Sequence, residues 1–167
     1  MFVNTDNLLR YLKGVMASSS TSEPVTAAGF VGGRCVSDAV PIRNPNSKWY
    51  ASISSYPEAK FPAFCFGPSY VLSTSAAEAI FDASKDVPFF HLEDVYTTGL
   101  VGSGHLGIPP VSVPGMYNFR KPWNECFFKT KLIASHRHAP TEVRNLWRKV
   151  EASIRCTKMR LVLEWKW

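Results

Sequence analysis

Hydrophobic positions change period several times along the chain, and each change marks an element. Phe2 and Val3 read as the end of a strand. Asn4 or Thr5 can cap a helix running to Lys13, with Leu8, Leu9 and Leu12 on one face and Gly14 as its stop. Residues 17–28 are a Ser, Thr and Ala stretch and predict a loop. Phe30-Val31 fits a short strand before Gly32-Gly33, residues 38–48 fit a loop, and Trp49 to Ile53 fit another strand. Tyr56-Pro57 and Phe61-Pro62 make a rigid connection into the run Phe64 to Ser73. A helix follows, with Ser75 and Glu78 at capping-box spacing and Ala76, Ala79, Ile80 and Ala83 on its apolar side. The apolar run Phe89 to Leu92 leads into Glu93-Asp94 and a short helix from Val95, which the glycines between Gly99 and Gly107 should end. Residues 108–125 read as irregular. Residues 142–153 form the cleanest helix, since Val143, Leu146, Trp147, Val150 and Ile154 share a face and Pro140 precedes it. Leu161 to Trp167 alternates with period two, which predicts a terminal strand. The pattern is mixed α/β without an internal repeat.

Composition narrows the class. The chain has 167 residues, 46% hydrophobic and 19% charged, which is globular and suits one domain or a large half of one. Aromatics reach 13%, enough to fill a core and also line a sugar- or base-binding cleft. The net charge of +6 is uneven: Arg120 to Trp167 holds twelve Lys and Arg against four Asp and Glu. Such a tail can face a nucleotide diphosphate, an acidic glycan, a membrane surface or nucleic acid, or be a solvated face. No helix carries a basic stripe with interleaved aromatics, so no nucleic-acid partner is expected. Cys35, Cys65, Cys126 and Cys156 show no CxxC spacing, which argues against a zinc cluster. They fit one or two disulfides, with every pairing open, or buried thiols. No stretch approaches the length of a membrane span, and the first residues lack the pattern of a signal peptide.

Two groups of residues carry candidate chemistry. Glu93-Asp94 follows an apolar run and precedes a helix, so a carboxylate there sits at a strand end, where open α/β sheets keep their ligands. It could act as a general base on a hydroxyl, or Asp94 could simply cap the next helix. His136 and His138 could both ligate a metal only on an extended segment. A single ligand, or a solvent-facing pair beside Arg137, fits the spacing equally.

Taken together, these segments resemble the β-1,3-galactosyltransferase family, with its N-acetylglucosaminyl and fringe-type relatives. Phe2 to Leu9 resembles the stretch directly after that family's Asp-x-Asp motif. Pro41-Ile42-Arg43, Lys48-Trp49-Tyr50, Tyr56-Pro57, Cys65 and the block Gly67 to Ser73 match in order. Leu92-Glu93-Asp94-Val95-Tyr96 is the most specific match, and Cys126, His136, Pro140, Glu142 and Trp147 follow the closing pattern. One departure stands out: Ser69, behind Pro68, replaces the second glycine of the Gly-x-Gly-Tyr block.

The resemblance implies a GT-A type, Rossmann-like α/β fold with a mixed sheet and flanking helices. It implies an inverting hexosyltransferase of protein glycosylation that moves galactose or N-acetylglucosamine from a UDP-sugar to a glycan hydroxyl in β-1,3 linkage. Asp94, with Glu93, would be catalytic. Trp49, Tyr50, Gly67 and Tyr70 would bind substrate, and His136 would contribute to a manganese or other divalent-metal site. The family's Asp-x-Asp motif and nucleotide-binding strands would lie upstream of Met1. Residues 1–167 are therefore expected to be a partial domain, inactive alone, of a protein anchored in the Golgi membrane and facing its lumen. A non-catalytic glycan-binding remnant is the alternative.

Overall fold

The computed structural model describes residues 1–18, 29–152 and 156. The predicted terminal strand at 161–167 and most of the predicted loop at 17–28 lie outside the described residues. The chain divides into two compact units, residues 24–113 and residues 1–23 with 114–167. Each contains a three-stranded mixed sheet with flanking helices, the α/β class the sequence predicts.

In residues 24–113 the central strand β2 (Val31–Val36) pairs antiparallel with β3 (Phe64–Leu72) and parallel with β4 (Pro110–Ser112). Helix α2 (Thr74–Ala83) covers this sheet with Ala76, Ile80 and Ala83, which pack with Val31, Cys65, Val101 and Ile108. Its cap is Ser73 rather than the predicted Ser75: Ser73 Oγ accepts from the Ala76 amide at 3.1 Å, the N-cap geometry. A second core gathers Ala51, Phe61, Phe64, Phe90 and Val95.

The helix from Val95 does not end at its glycines. It runs to His105 as a π-helix, with wide turns such as Leu106 N to Val101 O at 3.0 Å. Gly99 lies against Phe64 and Gly102 against Ile80, so these glycines admit close packing of neighbouring elements rather than stop the helix. The predicted strand Trp49–Ile53 is also absent: one bridge joins Ile42 to Tyr50, and the chain turns at Ser47 and again after Ser52. Nor does a strand precede Glu93. Residues 87–92 are irregular, with Phe90 buried and Phe89 83% exposed.

In the other unit, β1 (Phe2–Val3) pairs antiparallel with β6 (Ala134–Ser135), which pairs parallel with β5 (Met116–Tyr117). Helix α1 (Thr5–Ser18) passes through Gly14, where a side chain would meet open space. A glycine on such a face costs a helix about 1 kcal/mol without ending it. Asn4 caps α1 by accepting from the Asn7 amide at 3.1 Å. Both side-chain amides are buried and donate to the end of α3 (Glu125–Thr130): Asn4 to Phe128 O at 3.0 Å, Asn7 to Leu132 O at 2.8 Å. Helix α4 (Pro140–Glu151) packs Leu146, Val143, Trp147 and Val150 onto Phe2, Phe128 and Leu132. Glu142 accepts from the Ala139 amide at 2.8 Å, the half of a capping box available to an alanine N-cap.

The four cysteines form two disulfides, Cys35–Cys65 and Cys126–Cys156, one within each unit. Cys35 and Cys65 face each other directly across β2 and β3.

Candidate active site

The candidate site is built on an irregularity of the β2–β3 ladder. Between the paired positions Cys65–Cys35 and Tyr70–Gly33, β3 runs five residues while β2 runs two. The excess residues, with Gly67, Pro68 and Ser69 among them, bulge out of the ladder. A proline has no amide hydrogen to give a partner strand, so a bulge is where it is tolerated. The Pro68-Ser69 departure therefore falls where regular pairing is already interrupted.

The bulge turns the Gly67 amide toward Asp94. Gly67 N donates to Asp94 Oδ2 at 2.8 Å, and Val95 N donates to Oδ1 at 2.9 Å. Asp94 is thus the N-cap of the π-helix and also a cross-link to β3. A Cβ at Gly67 would stand 3.3 Å from Asp94 Oδ2, tighter than ordinary contact, which favours glycine there. The backbone of Asp94 is fixed as well: Thr98 Oγ1, fully buried, donates to Asp94 O at 2.7 Å and accepts from Cys65 N at 2.9 Å. Two amides occupy two of the roughly four lone-pair positions of a carboxylate, so the half-buried Asp94 keeps acceptor capacity for a hydroxyl.

Glu93 has a different partner. Its Oε1 accepts a short hydrogen bond from the Tyr70 hydroxyl. Burial first, then the bond to Glu93 and its charge, raise the Tyr70 hydroxyl well above the usual phenol range, so it remains a protonated donor. Gly67, Tyr70, Glu93 and Asp94, predicted from separate stretches, come together here.

Trp49 and Tyr50 belong to a loop pinned by backbone contacts. Arg43 donates to the carbonyls of Ala51, Ser52 and Glu58, each at 2.9 Å, and Ala51 N donates to Ile42 O at 2.9 Å. Residues 41–43 and 48–50 are thereby structural partners. The ring of His91 bonds Tyr50 O at 2.8 Å, tying this loop to the residue two positions before Glu93. Trp49 is 49% exposed, with the Lys48 ammonium 4.4 Å from its ring centre. Thr98 and His91 escape sequence reasoning, and Arg43 enters it only within the matched segment Pro41-Ile42-Arg43: a buried threonine is inconspicuous, although its position four residues after Asp94 is the spacing of a helical back-bond.

His136 lies in the other unit, after β6, and its amide donates to Phe119 O at 3.2 Å. Arg137 adopts a left-handed backbone, φ 60°, so the extended segment needed for a two-histidine site is absent. His138 instead bonds Ser135 Oγ at 2.8 Å. Among the described residues, no three His, Cys, Asp or Glu converge to hold a metal ion.

Comparison with known proteins accounts for the motif order. A family model described as galactosyltransferase matches residues 1–114. Mouse and human beta-1,3-galactosyltransferase 1 are each 32% identical to this chain over 160 residues, covering 93% of it and 45% of the relative. Human beta-1,3-galactosyltransferase 2 is 33% identical over 150 residues, covering 88% of the chain and 33% of the relative. The chain therefore spans less than half the length of these relatives. With the family model covering more than half of its residues, the chain belongs to the galactosyltransferase family.

Proposed function

We propose that this chain carries the acceptor side of an inverting hexosyltransferase that moves galactose or N-acetylglucosamine from a UDP-sugar to a glycan hydroxyl in β-1,3 linkage. The observation that supports this best is Asp94, a carboxylate oriented by two backbone amides beside a bulge. Asp94 takes the proton of the acceptor hydroxyl as its oxygen forms a bond to the anomeric carbon. The bond from that carbon to the diphosphate breaks, and UDP leaves with the electron pair. A general base contributes on the order of 100- to 10,000-fold. Gly67 and Val95 aim the carboxylate, Thr98 holds its backbone, and the Tyr70–Glu93 pair lines the approach as substrate-binding groups. Trp49 and Tyr50 contribute aromatic surface for sugar rings.

A divalent metal on the diphosphate belongs to the family reading, and His136 is the residue of this chain matched to it. One imidazole does not make a site, and the described residues offer no converging set, so no step is assigned to the metal. The Golgi lumen is the proposed location. Two disulfides fit an oxidising compartment, and no helix among the described residues is long and apolar enough to cross a membrane.

The test is product analysis with the full-length gene product, manganese, UDP-galactose or UDP-N-acetylglucosamine, and lactosamine-type acceptors. A β-anomeric signal at a 3-position by NMR is expected. A retained α-configuration, or no transfer from either donor, would refute the reading.

A further inference from the structure

The aromatic loop and the acidic segment of the candidate site lie in one unit, residues 24–113, but in distant stretches of the chain. Their apolar floor is shared: Ala51 and Phe61 belong to one core with Phe90 and Val95. Apolar burial is non-directional, so by itself it leaves the loop above free to shift. Directional contacts decide where Trp49 and Tyr50 stand relative to Asp94. Most of those contacts stay inside the loop. Tyr50 N donates to Ser47 O at 3.0 Å, Ala51 N to Ile42 O at 2.9 Å, and the Arg43 guanidinium to the carbonyls of Ala51, Ser52 and Glu58. They shape the loop without referring it to Asp94.

Among the described residues, one hydrogen bond joins residues 41–58 to the segment that carries Glu93 and Asp94: His91 Nε2 to Tyr50 O at 2.8 Å. A carbonyl only accepts, so Nε2 carries the hydrogen. The imidazole is itself held in place. Its ring centre lies 4.9 Å from that of Phe90, a buried residue that packs on Phe61 and Tyr56 at 5.8 and 5.7 Å. Three positions further on, the Gly67 and Val95 amides fix the Asp94 carboxylate and Thr98 fixes its backbone. Tyr50 O, the imidazole, residues 91–94 and the Gly67 amide thus form a continuous path of covalent and hydrogen bonds. What this path positions is open surface. Tyr50 is half-buried, and Trp49 is 49% exposed even with the Lys48 ammonium over one face of its ring.

We infer that His91 is a positioning residue for the acceptor: its Nε2–H holds the Trp49–Tyr50 loop in register with Asp94 and so sets the affinity for the acceptor sugar. The inference rests on the reading of Trp49 and Tyr50 as sugar-binding residues, and His91 itself touches no reacting atom. The hydrogen bond is exposed, so water can replace the imidazole at Tyr50 O. Losing it should cost little stability. It should instead loosen the loop, which must then be ordered each time a sugar binds. An interaction made alike in the ground state and the transition state raises KM when lost and leaves kcat unchanged.

Two variants of the full-length gene product separate donor from ring. His91→Phe keeps a ring against Phe90 and has no donor, while His91→Gln has a donor at about the reach of Nε2 and no ring. Amide hydrogen exchange in peptides spanning residues 48–52 reads the tether, and steady-state kinetics with N-acetyllactosamine reads its consequence. In His91→Phe the Tyr50 and Ala51 amides should exchange faster, and the acceptor KM should rise about threefold to tenfold, the worth of one hydrogen bond. Its kcat, donor KM and thermal midpoint should stay near those of the parent. His91→Gln should restore both the exchange rate and the acceptor KM. An unchanged exchange rate or acceptor KM in His91→Phe, a His91→Gln protein no better than His91→Phe, or a fall in kcat at constant KM would overturn the inference. A parent that transfers from neither donor would refute the proposed function instead, and the exchange measurement then decides the tether by itself.

Discussion

Glu93 and Asp94 are chain neighbours with different tasks because their partners differ. Asp94 accepts from two backbone amides that no side-chain change removes. Glu93 is exposed and accepts from the Tyr70 hydroxyl. A glutamine at 93 keeps an acceptor oxygen for Tyr70, so Glu93→Gln should lower turnover by about tenfold or less, below the range of a lost general base. Steady-state kinetics of the full-length protein checks this. A loss of a thousandfold would move the base from Asp94 to Glu93. At this scale the capping role of Asp94 was legible from its place just before a helix. The second amide on Asp94 was not, because it comes from Gly67, 27 positions away, through a bulge that periodicity does not signal.

Elements hold the site through few contacts. The link between β3 and the π-helix passes through Thr98, whose hydroxyl satisfies Cys65 N and Asp94 O together. Thr98→Val keeps the shape and leaves that buried amide unpaired, at a cost of about 1–3 kcal/mol. Chemical denaturation should show that loss, and turnover should fall with it because Asp94 loses its backbone restraint. A variant as stable as the parent would show that Thr98 is incidental. Helices with clear apolar stripes, α2 and α4, were legible from spacing. The π-helix was read too short because three of its glycines look like stop signals when their packing neighbours are unknown. The loop around Trp49 read as a strand because aromatic and β-branched residues cluster there, while its conformation is fixed by Arg43 reaching carbonyls up to fifteen residues away. The short strands β5 and β6, of two residues each, give no periodicity at all.

At the scale of the whole molecule, each unit carries its own disulfide, and each closes a loop of 30 residues. Loop-closure entropy makes each worth about 3–4 kcal/mol. Reduction by dithiothreitol should therefore lower the thermal midpoint of the chain, and Cys35→Ser with Cys65→Ser should reproduce part of that fall. An unchanged midpoint on reduction would show that neither bridge constrains the unfolded chain. Four scattered cysteines fitted disulfides or buried thiols with every pairing open, because pairing depends on which strands align, and the β2–β3 register sets that for Cys35 and Cys65. The family was legible throughout, since motif order survives where element boundaries do not.

The central claim is that Asp94 is the base of a sugar transfer, and the kinetics of Asp94→Asn in the full-length gene product test it most directly. Asparagine keeps an acceptor oxygen for one amide and loses the capacity to take a proton. Turnover should fall by at least about 100-fold, with UDP binding and the thermal midpoint close to those of the parent. An Asp94→Asn protein that kept more than about a tenth of parental turnover, outside the range of a lost general base, would contradict the account and leave Asp94 as a helix cap.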